Sequence, residues 1–390
     1  MQDQCRGLVL SSAECYHPVM EPTVALCMIV RDGQATLDRC LNSAAPAVDS
    51  IYLTDTGSKD ETLSIAKKHG AYIRHFEWCD DFSAARNHSI QDIPEDWLLI
   101  LDADDYFPLG EAARLRPYLK NSNALSIALR YSIMEGYSPA LTRRVLRNHQ
   151  GLCFTGIIHE TIRGSFPPAS SAPSQTEETD ISLHHAGYTD TSLPQKLQRN
   201  LPLLQKEWAR SAKDTDICQR LHIGKELAHT LIKTGKPDEG EKLLLDLVVD
   251  WPDAESENQF AAEALIALAW RHHETGRTEA AWQLCQSYKS KLSNQPAYQL
   301  QLGLSAFKVQ HFPDALNALT TFEQRWLAGE VKIPVPLRYT GLALWDLQGQ
   351  CYLQMGRMND AARMFAKCLD AGGDAQEYKT KLHLARQFSA

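Results

Sequence analysis

The stretch LLILDADDYF, residues 98–107, runs the apolar residues Leu98 to Leu101 into Asp102, Asp104 and Asp105 with only Ala103 between them. With Trp97 ahead, the apolar run reads as a buried strand. Unpaired carboxylates are costly to bury, so acids at the end of such a strand are solvated, cap a turn or hold a cation. Asp102 and Asp104 leave the strand on the same side. That geometry suits Mg²⁺ or Mn²⁺, hard ions that take oxygen ligands and share them with substrate phosphates. The same residues also suit a capped turn, with Asp104 or Asp105 serving the following helix, EAARLRPYL.

Two neighbouring stretches add weight to the first reading. In TDTGSKDET (54–62), Asp55 stands at a strand tip where it can accept hydrogen bonds from a base or ribose, while Gly57, Ser58 and Asp60 suit a turn and a helix start. In WCDDFSAARNHSI (78–90), Arg86 and Asn87 lie on a helix behind Asp80 and Asp81. Arg86 is a candidate for a pyrophosphate or a base, or for a salt bridge to Asp80 or Asp81.

The elements that must position these residues alternate. VALCMIV (24–30), SIYLTD (50–55), AYIRHF (71–76) and WLLILD (97–102) read as strands, and TLDRCLNSA, DETLSIAKKHG and SAARNHSIQDI between them as helices. That order predicts a parallel sheet with helices on its faces. Ligands bind outside the carboxyl ends of such strands, so Asp55 and Asp102 are expected at one crevice. ALSIALRYSI, RRVLRN and FTGIIHETI, within residues 124–162, are expected to add antiparallel strands. SFPPASSAPSQTEETD (165–180) reads as a mobile loop, and residues 1–21 as a leader.

From about Leu201 the pattern is helical and repetitive. KTGKPDEGEKLL, ETGRTEAAWQL, VQHFPDALNAL and QMGRMNDAARMF align on Gly235, Gly276, Gln310 and Gly356, and a small residue follows five positions on: Gly240, Ala281, Ala315 and Ala361. Small residues there let antiparallel helices approach closely. In the last unit Trp345, Gly349 and Tyr352 have the tetratricopeptide spacing. Four helix-pair units over 201–390 are expected.

The chain's 390 residues suffice for two domains, and a net charge of −8 argues against a nucleic-acid partner. The 10 cysteines are scattered without a CxxC pair, which suits buried reduced thiols rather than a zinc or disulfide framework. No stretch approaches the roughly 20 apolar residues of a membrane helix. The N-terminus lacks the basic region of a signal peptide, so a cytoplasmic protein is expected.

Taken together, VALCMIVRDGQATLDRCLNSA, IYLTDTGSKDETLSIAKKHGA, FEWCDDFSAARNHSI, WLLILDADD, RRVLRN, FTGIIHETI and LHHAGY resemble, in order, the family 2 glycosyltransferases of the GT-A fold. They are most similar to a bacterial subgroup with C-terminal tetratricopeptide repeats that includes S-glycosyltransferases of bacteriocin peptides such as sublancin. The resemblance implies an α/β, Rossmann-like nucleotide-sugar-binding GT-A domain over 22–200, followed by an all-α repeat solenoid over 201–390. It implies that Asp55 binds the nucleoside of a UDP- or GDP-linked sugar, that Arg86 lies beside the nucleotide, and that Asp102 and Asp104 hold Mn²⁺ or Mg²⁺ on the diphosphate. His185 of HHAGY is implied as a further metal or diphosphate contact, with His184 its neighbour. Where the subgroup has asparagine and acidic residues after the first strand, this chain has Arg31, Asp32, Gly33 and Gln34.

Breaking a sugar–phosphate bond builds negative charge on the diphosphate, which a divalent cation stabilises. An inverting transfer also needs a base to deprotonate the acceptor. Glu160 of IIHET is the first candidate, and Asp105 and Asp81 are the alternatives. The expected acceptor is a peptide or protein held by the repeats, which could also pair two copies of the chain. Transfer to a lipid-linked or surface glycan is the alternative within the class. A nucleotide-binding scaffold without turnover is the alternative outside it.

Overall fold

The computed structural model describes residues 21–163, 176–186, 193–211, 217–249 and 259–387. All but the last residue of the expected leader therefore lies outside the described residues. Strands β1 (Val24–Val30), β2 (Ser50–Asp55), β3 (Tyr72–His75) and β4 (Trp97–Ile100) run parallel in the order β3-β2-β1-β4. Helices α1 (Leu37–Ala44), α2 (Thr62–Lys68) and α3 (Phe82–Ser89) connect them. β1 is apolar without alternation because both its faces are covered. Leu26 and Met28 pack with Leu37 and Leu41 of α1, while Ala25 and Cys27 join Ile93 and Phe154 on the other side.

The sheet grows from β1 through β2 to β3 on one side and continues with β4 on the other, which makes the β1/β4 edge the switch point where such sheets bind ligands. The loops leaving β1, β2 and β4 are tied together there. The Lys59 amide donates to Asp32 Oδ1 at 2.7 Å and the Gln34 amide to Asp60 Oδ2 at 3.1 Å. A Cβ on Gly33 would lie 2.9 Å from Val30 Cγ2 and 3.2 Å from the Cβ of Ala103, so glycine lets the first loop approach the Asp102–Asp104 turn.

The remaining elements of this half are β5 (Asp105–Tyr106), α4 (Leu115–Asn121), β6 (Ser126–Ser132), β7 (Ala140–Arg147), β8 (Cys153–Thr155), β9 (Thr161–Arg163) and β10 (Thr176–His185). The sheet continues β4-β7-β6-β10-β5, eight strands among the described residues, with β7 antiparallel to both neighbours as expected. FTGIIHETI departs from expectation. Instead of one sheet strand it forms β8, a loop Gly156–Glu160 and β9, the two strands pairing, among the described residues, only with each other. β10 lies parallel beside β6 instead. Thr176–Asp180, expected in the mobile loop, belong to β10, and residues 165–175 lie outside the described residues. Asp104 and Asp105 do not cap the EAARLRPYL helix, because Asp105 already lies in β5.

The all-α half comprises α5 (Leu193–Ser211), α6 (Ile217–Lys233), α7 (Pro237–Val249), α8 (Gln259–Glu274), α9 (Thr278–Ser287), α10 (Lys289–Leu292), α11 (Pro296–Lys308), α12 (Phe312–Leu327), α13 (Leu342–Gln354), α14 (Met358–Asp370) and α15 (Ala375–Gln387). The expected pairs are α6/α7, α8/α9, α11/α12 and α13/α14. The aligned anchors Gly235, Gly276, Gln310 and Gly356 all take positive φ, at 89°, 76°, 63° and 72°, in the turns between paired helices. Gln310 does so without glycine's freedom, which is why alignment rather than composition locates that turn. The α12–α13 connection returns to the α/β half. There the Leu337 amide donates to Gly136 O at 2.7 Å and the Ser138 amide to Val335 O at 2.9 Å.

The paired helices approach closely at Gly349, where a Cβ would lie 2.6 Å from Cε1 of the fully buried Phe365. Gly349→Val is expected to cost about 1–3 kcal/mol by overpacking. Urea denaturation checks this, and an unchanged midpoint would show that α13 and α14 separate there freely.

Candidate active site

A cavity of about 670 Å³ lies at the switch-point edge. Its lining includes Asp32, Gly33, Arg86, Asp102, Asp104, Arg143, Arg144, Glu160 and His185 from the α/β half, and Lys196, Arg199, Asn200 and His222 from α5 and α6. The cations Arg31, Arg86, Arg143, Arg144, Lys196 and Arg199 outnumber the carboxylates Asp32, Asp102, Asp104 and Glu160, a balance suited to a polyanion such as a diphosphate.

Arg86 is buried beneath this surface because α3 packs on the sheet. It pairs neither with Asp80 nor with Asp81. Its guanidinium bridges Asp102 Oδ1 and Glu160 Oε1, the latter at 3.0 Å. Asp102 Oδ2 faces Arg144 Nη1 at 3.3 Å. Burial works against charge on Asp102, but Arg86 and then Arg144 outweigh it and hold the carboxyl well below the usual carboxylate range. Arg86 Nη1 and Arg144 Nε are buried and make no hydrogen bond to the protein.

The second acid of the motif faces elsewhere. Asp104 receives Lys196 Nζ at 3.0 Å and lies 3.5 Å from His185 Nδ1. Asp105, 1% exposed, accepts from Tyr131 Oη at 2.6 Å and lies 2.9 Å from His185 Nδ1. Ligand atoms of Asp104, Asp105 and His185 all fall within 4.8 Å of one another. Two carboxylate oxygens and an imidazole nitrogen are a donor set that suits Mn²⁺ or Mg²⁺. Asp102 is not part of that cluster, since guanidinium groups face both its oxygens. His185 rather than His184 reaches the acids, and His184 packs against Tyr106. The following Gly187 and Tyr188 of HHAGY lie outside the described residues.

Asp55 ends β2 as expected, but its carboxylate accepts from the Gly57 and Ser58 amides at 3.2 and 3.0 Å and does not line the cavity. Of the candidate bases, Asp81 caps α3 through the Ala84 amide at 3.0 Å, and Asp105 is buried as described. Glu160 alone of the three lines the cavity. It ends the loop after His159, whose φ of 51° is left-handed and strained for a non-glycine residue. That loop rests on the repeats: Ile157 and Ile158 pack among Leu203, Leu204, Leu227 and Leu231.

Arg144, Lys196 and His222 went unassigned by sequence reasoning. Arg144 lay in the noted RRVLRN stretch without a role, and no local pattern marks Lys196 or His222. Burial and then Lys225 push the His222 imidazole down to about 3, so it is neutral at ordinary pH. Cys79 and Cys153 also depart from the expectation of buried thiols and are exposed.

Residues 25–166, most of the α/β half, match the model of Glycosyl transferase family 2. A TPR repeat-containing protein of Synechococcus elongatus is 35% identical over 205 residues, covering 51% of each chain. The SPbeta prophage-derived glycosyltransferase SunS of Bacillus subtilis is 26% identical over 195 residues, covering 47% of this chain and 45% of its own. The chain thus spans about half the length of the curated relatives it matches. A MamA structure overlaps 47% of this chain and 88% of its own at 19% identity and a TM-score of 0.34. Among the described residues no helix is long and apolar enough to cross a membrane.

Proposed function

We propose that the chain transfers a sugar from a nucleotide-sugar donor to a peptide or protein acceptor, with inversion at the sugar carbon. The observation that carries this reading is the basic cavity at the β1/β4 switch point, where the cluster of Asp104, Asp105 and His185 adjoins the Arg86–Asp102–Arg144 network. Asp104 and His185, with Asp105, would hold Mn²⁺ or Mg²⁺, which supplies charge neutralisation for the leaving diphosphate. Arg86 and Arg144 orient the phosphates through guanidinium groups that the protein leaves partly unpartnered. Asp55 keeps the nucleoside assignment, acting through the turn it stabilises. Glu160 takes the acceptor proton. Helices α5 and α6 supply part of the cavity wall, which supports a peptide acceptor presented from the repeats.

Calorimetric titration with UDP and GDP in Mn²⁺ tests the donor site. EDTA, or Asp104→Asn, is expected to weaken nucleotide binding about tenfold or more. Affinity indifferent to both would remove the metal from the reading. A folded protein that binds the nucleotide but never hydrolyses a nucleotide sugar would point instead to the non-catalytic scaffold.

A further inference from the structure

The Gly156–Glu160 loop is shaped from both halves of the chain. The carbonyl of Ile157 accepts from the Phe82 amide at 2.8 Å, at the start of α3, and one turn later the same helix presents Arg86 to Glu160. The Ile157 amide donates to Glu207 Oε2 at 3.1 Å, on α5. Glu207 is 1% exposed and sits beside the apolar seam of Leu203, Leu204, Ile157 and Ile158. An unpaired carboxylate there would be costly, and a leucine would fill the space without that cost. Its bonds explain its presence: it satisfies the buried Ile157 amide and accepts from Arg210 Nε at 3.0 Å. Beyond Ile157 the chain turns through left-handed His159, whose ring lies 4.0 Å from Glu226 and edge-on to His222, both on α6. Removing any one of these restraints leaves a strained loop free to relax.

We propose that Glu207 is a positioning residue for the transfer reaction: from α5 it fixes the Gly156–Glu160 loop so that Glu160 stands over the cavity against Arg86. The repeat half thereby sets the geometry of the base as well as lining the cavity. This rests on the assignment of Glu160 made above.

The test compares Glu207→Ala, Glu207→Gln and Glu160→Gln in the full chain. The readings are backbone hydrogen exchange over residues 154–162, calorimetric UDP affinity, and the pH profile of kcat for hydrolysis of UDP-glucose or GDP-mannose, whichever the wild type turns over. Glu207→Ala is expected to speed exchange at Ile157, lower kcat about tenfold to a hundredfold and displace the acid limb of the profile, with UDP affinity within about twofold of wild type. Glu207→Gln, which still accepts from the Ile157 amide, is expected to restore most of the rate. Wild-type exchange, or a wild-type kcat and profile, in Glu207→Ala would overturn the proposal, as would equal losses in the two variants. If Glu207→Ala fails to fold, Glu207→Asp, one methylene shorter, takes its place under the same readings. A silent Glu160→Gln would instead fail the base assignment, while the exchange data still judge whether Glu207 holds the loop.

Discussion

Glu160→Gln is expected to leave nucleotide binding within about twofold of wild type and to lower sugar transfer to a hydroxyl acceptor by about a hundredfold to ten-thousandfold. The amide oxygen of glutamine can still accept from Arg86 Nε, so the bridge from Arg86 to Asp102 persists and the cavity keeps its shape. Only the ability to take a proton is lost. A thiol acceptor would shrink the effect, because cysteine is already partly thiolate near neutral pH. The size of the loss therefore reports on the acceptor atom as well as on the base. Single-turnover transfer measured beside UDP titration separates the two quantities. Wild-type transfer to a hydroxyl by Glu160→Gln would place the base elsewhere, and Asp105 or Asp81 would then have to leave the bonds that bury the one and make the other a helix cap.

The parallel strands and the repeats were legible in the sequence because both are periodic. Apolar runs ending in acids gave Asp55 and Asp102 their place at strand tips, and alignment of four turns found even Gln310. What escaped was set by packing between residues distant in sequence. Ile157 and Ile158 made FTGIIHETI look like a strand, yet their apolar character answers to Leu203 and Leu227 rather than to a sheet neighbour. Gly156, at φ 104°, was the one local sign of a turn. The division of labour between Asp102 and Asp104 was likewise invisible, since it depends on Arg144 and Lys196 arriving from β7 and α5. Nothing in the spacing of DAD distinguishes an arginine partner from a metal.

Deletion of residues 201–390 is expected to abolish nucleotide-sugar hydrolysis together with transfer. If chemistry belonged wholly to the α/β half and acceptor recognition to the repeats, transfer would suffer more than hydrolysis. The contacts argue otherwise. The cut falls within α5 and removes Leu203, Leu204, Leu227 and Leu231 from Ile157 and Ile158, and takes Glu207 from the Ile157 amide. At about 1.5–3 kcal/mol for each buried apolar side chain, exposing Ile157 and Ile158 costs the remaining domain roughly 3–6 kcal/mol. That is a large fraction of the roughly 5–15 kcal/mol by which a whole domain is stable. The hairpin between β6 and β7, which lines the cavity through Thr142, Arg143 and Arg144, also loses its bonds to Val335 and Leu337. Circular dichroism melting and a hydrolysis assay on the truncated chain check the expectation. A cooperatively folded truncate that hydrolyses donor at the full-length rate would restore the simple division and show that the repeats touch the Glu160 loop without shaping it.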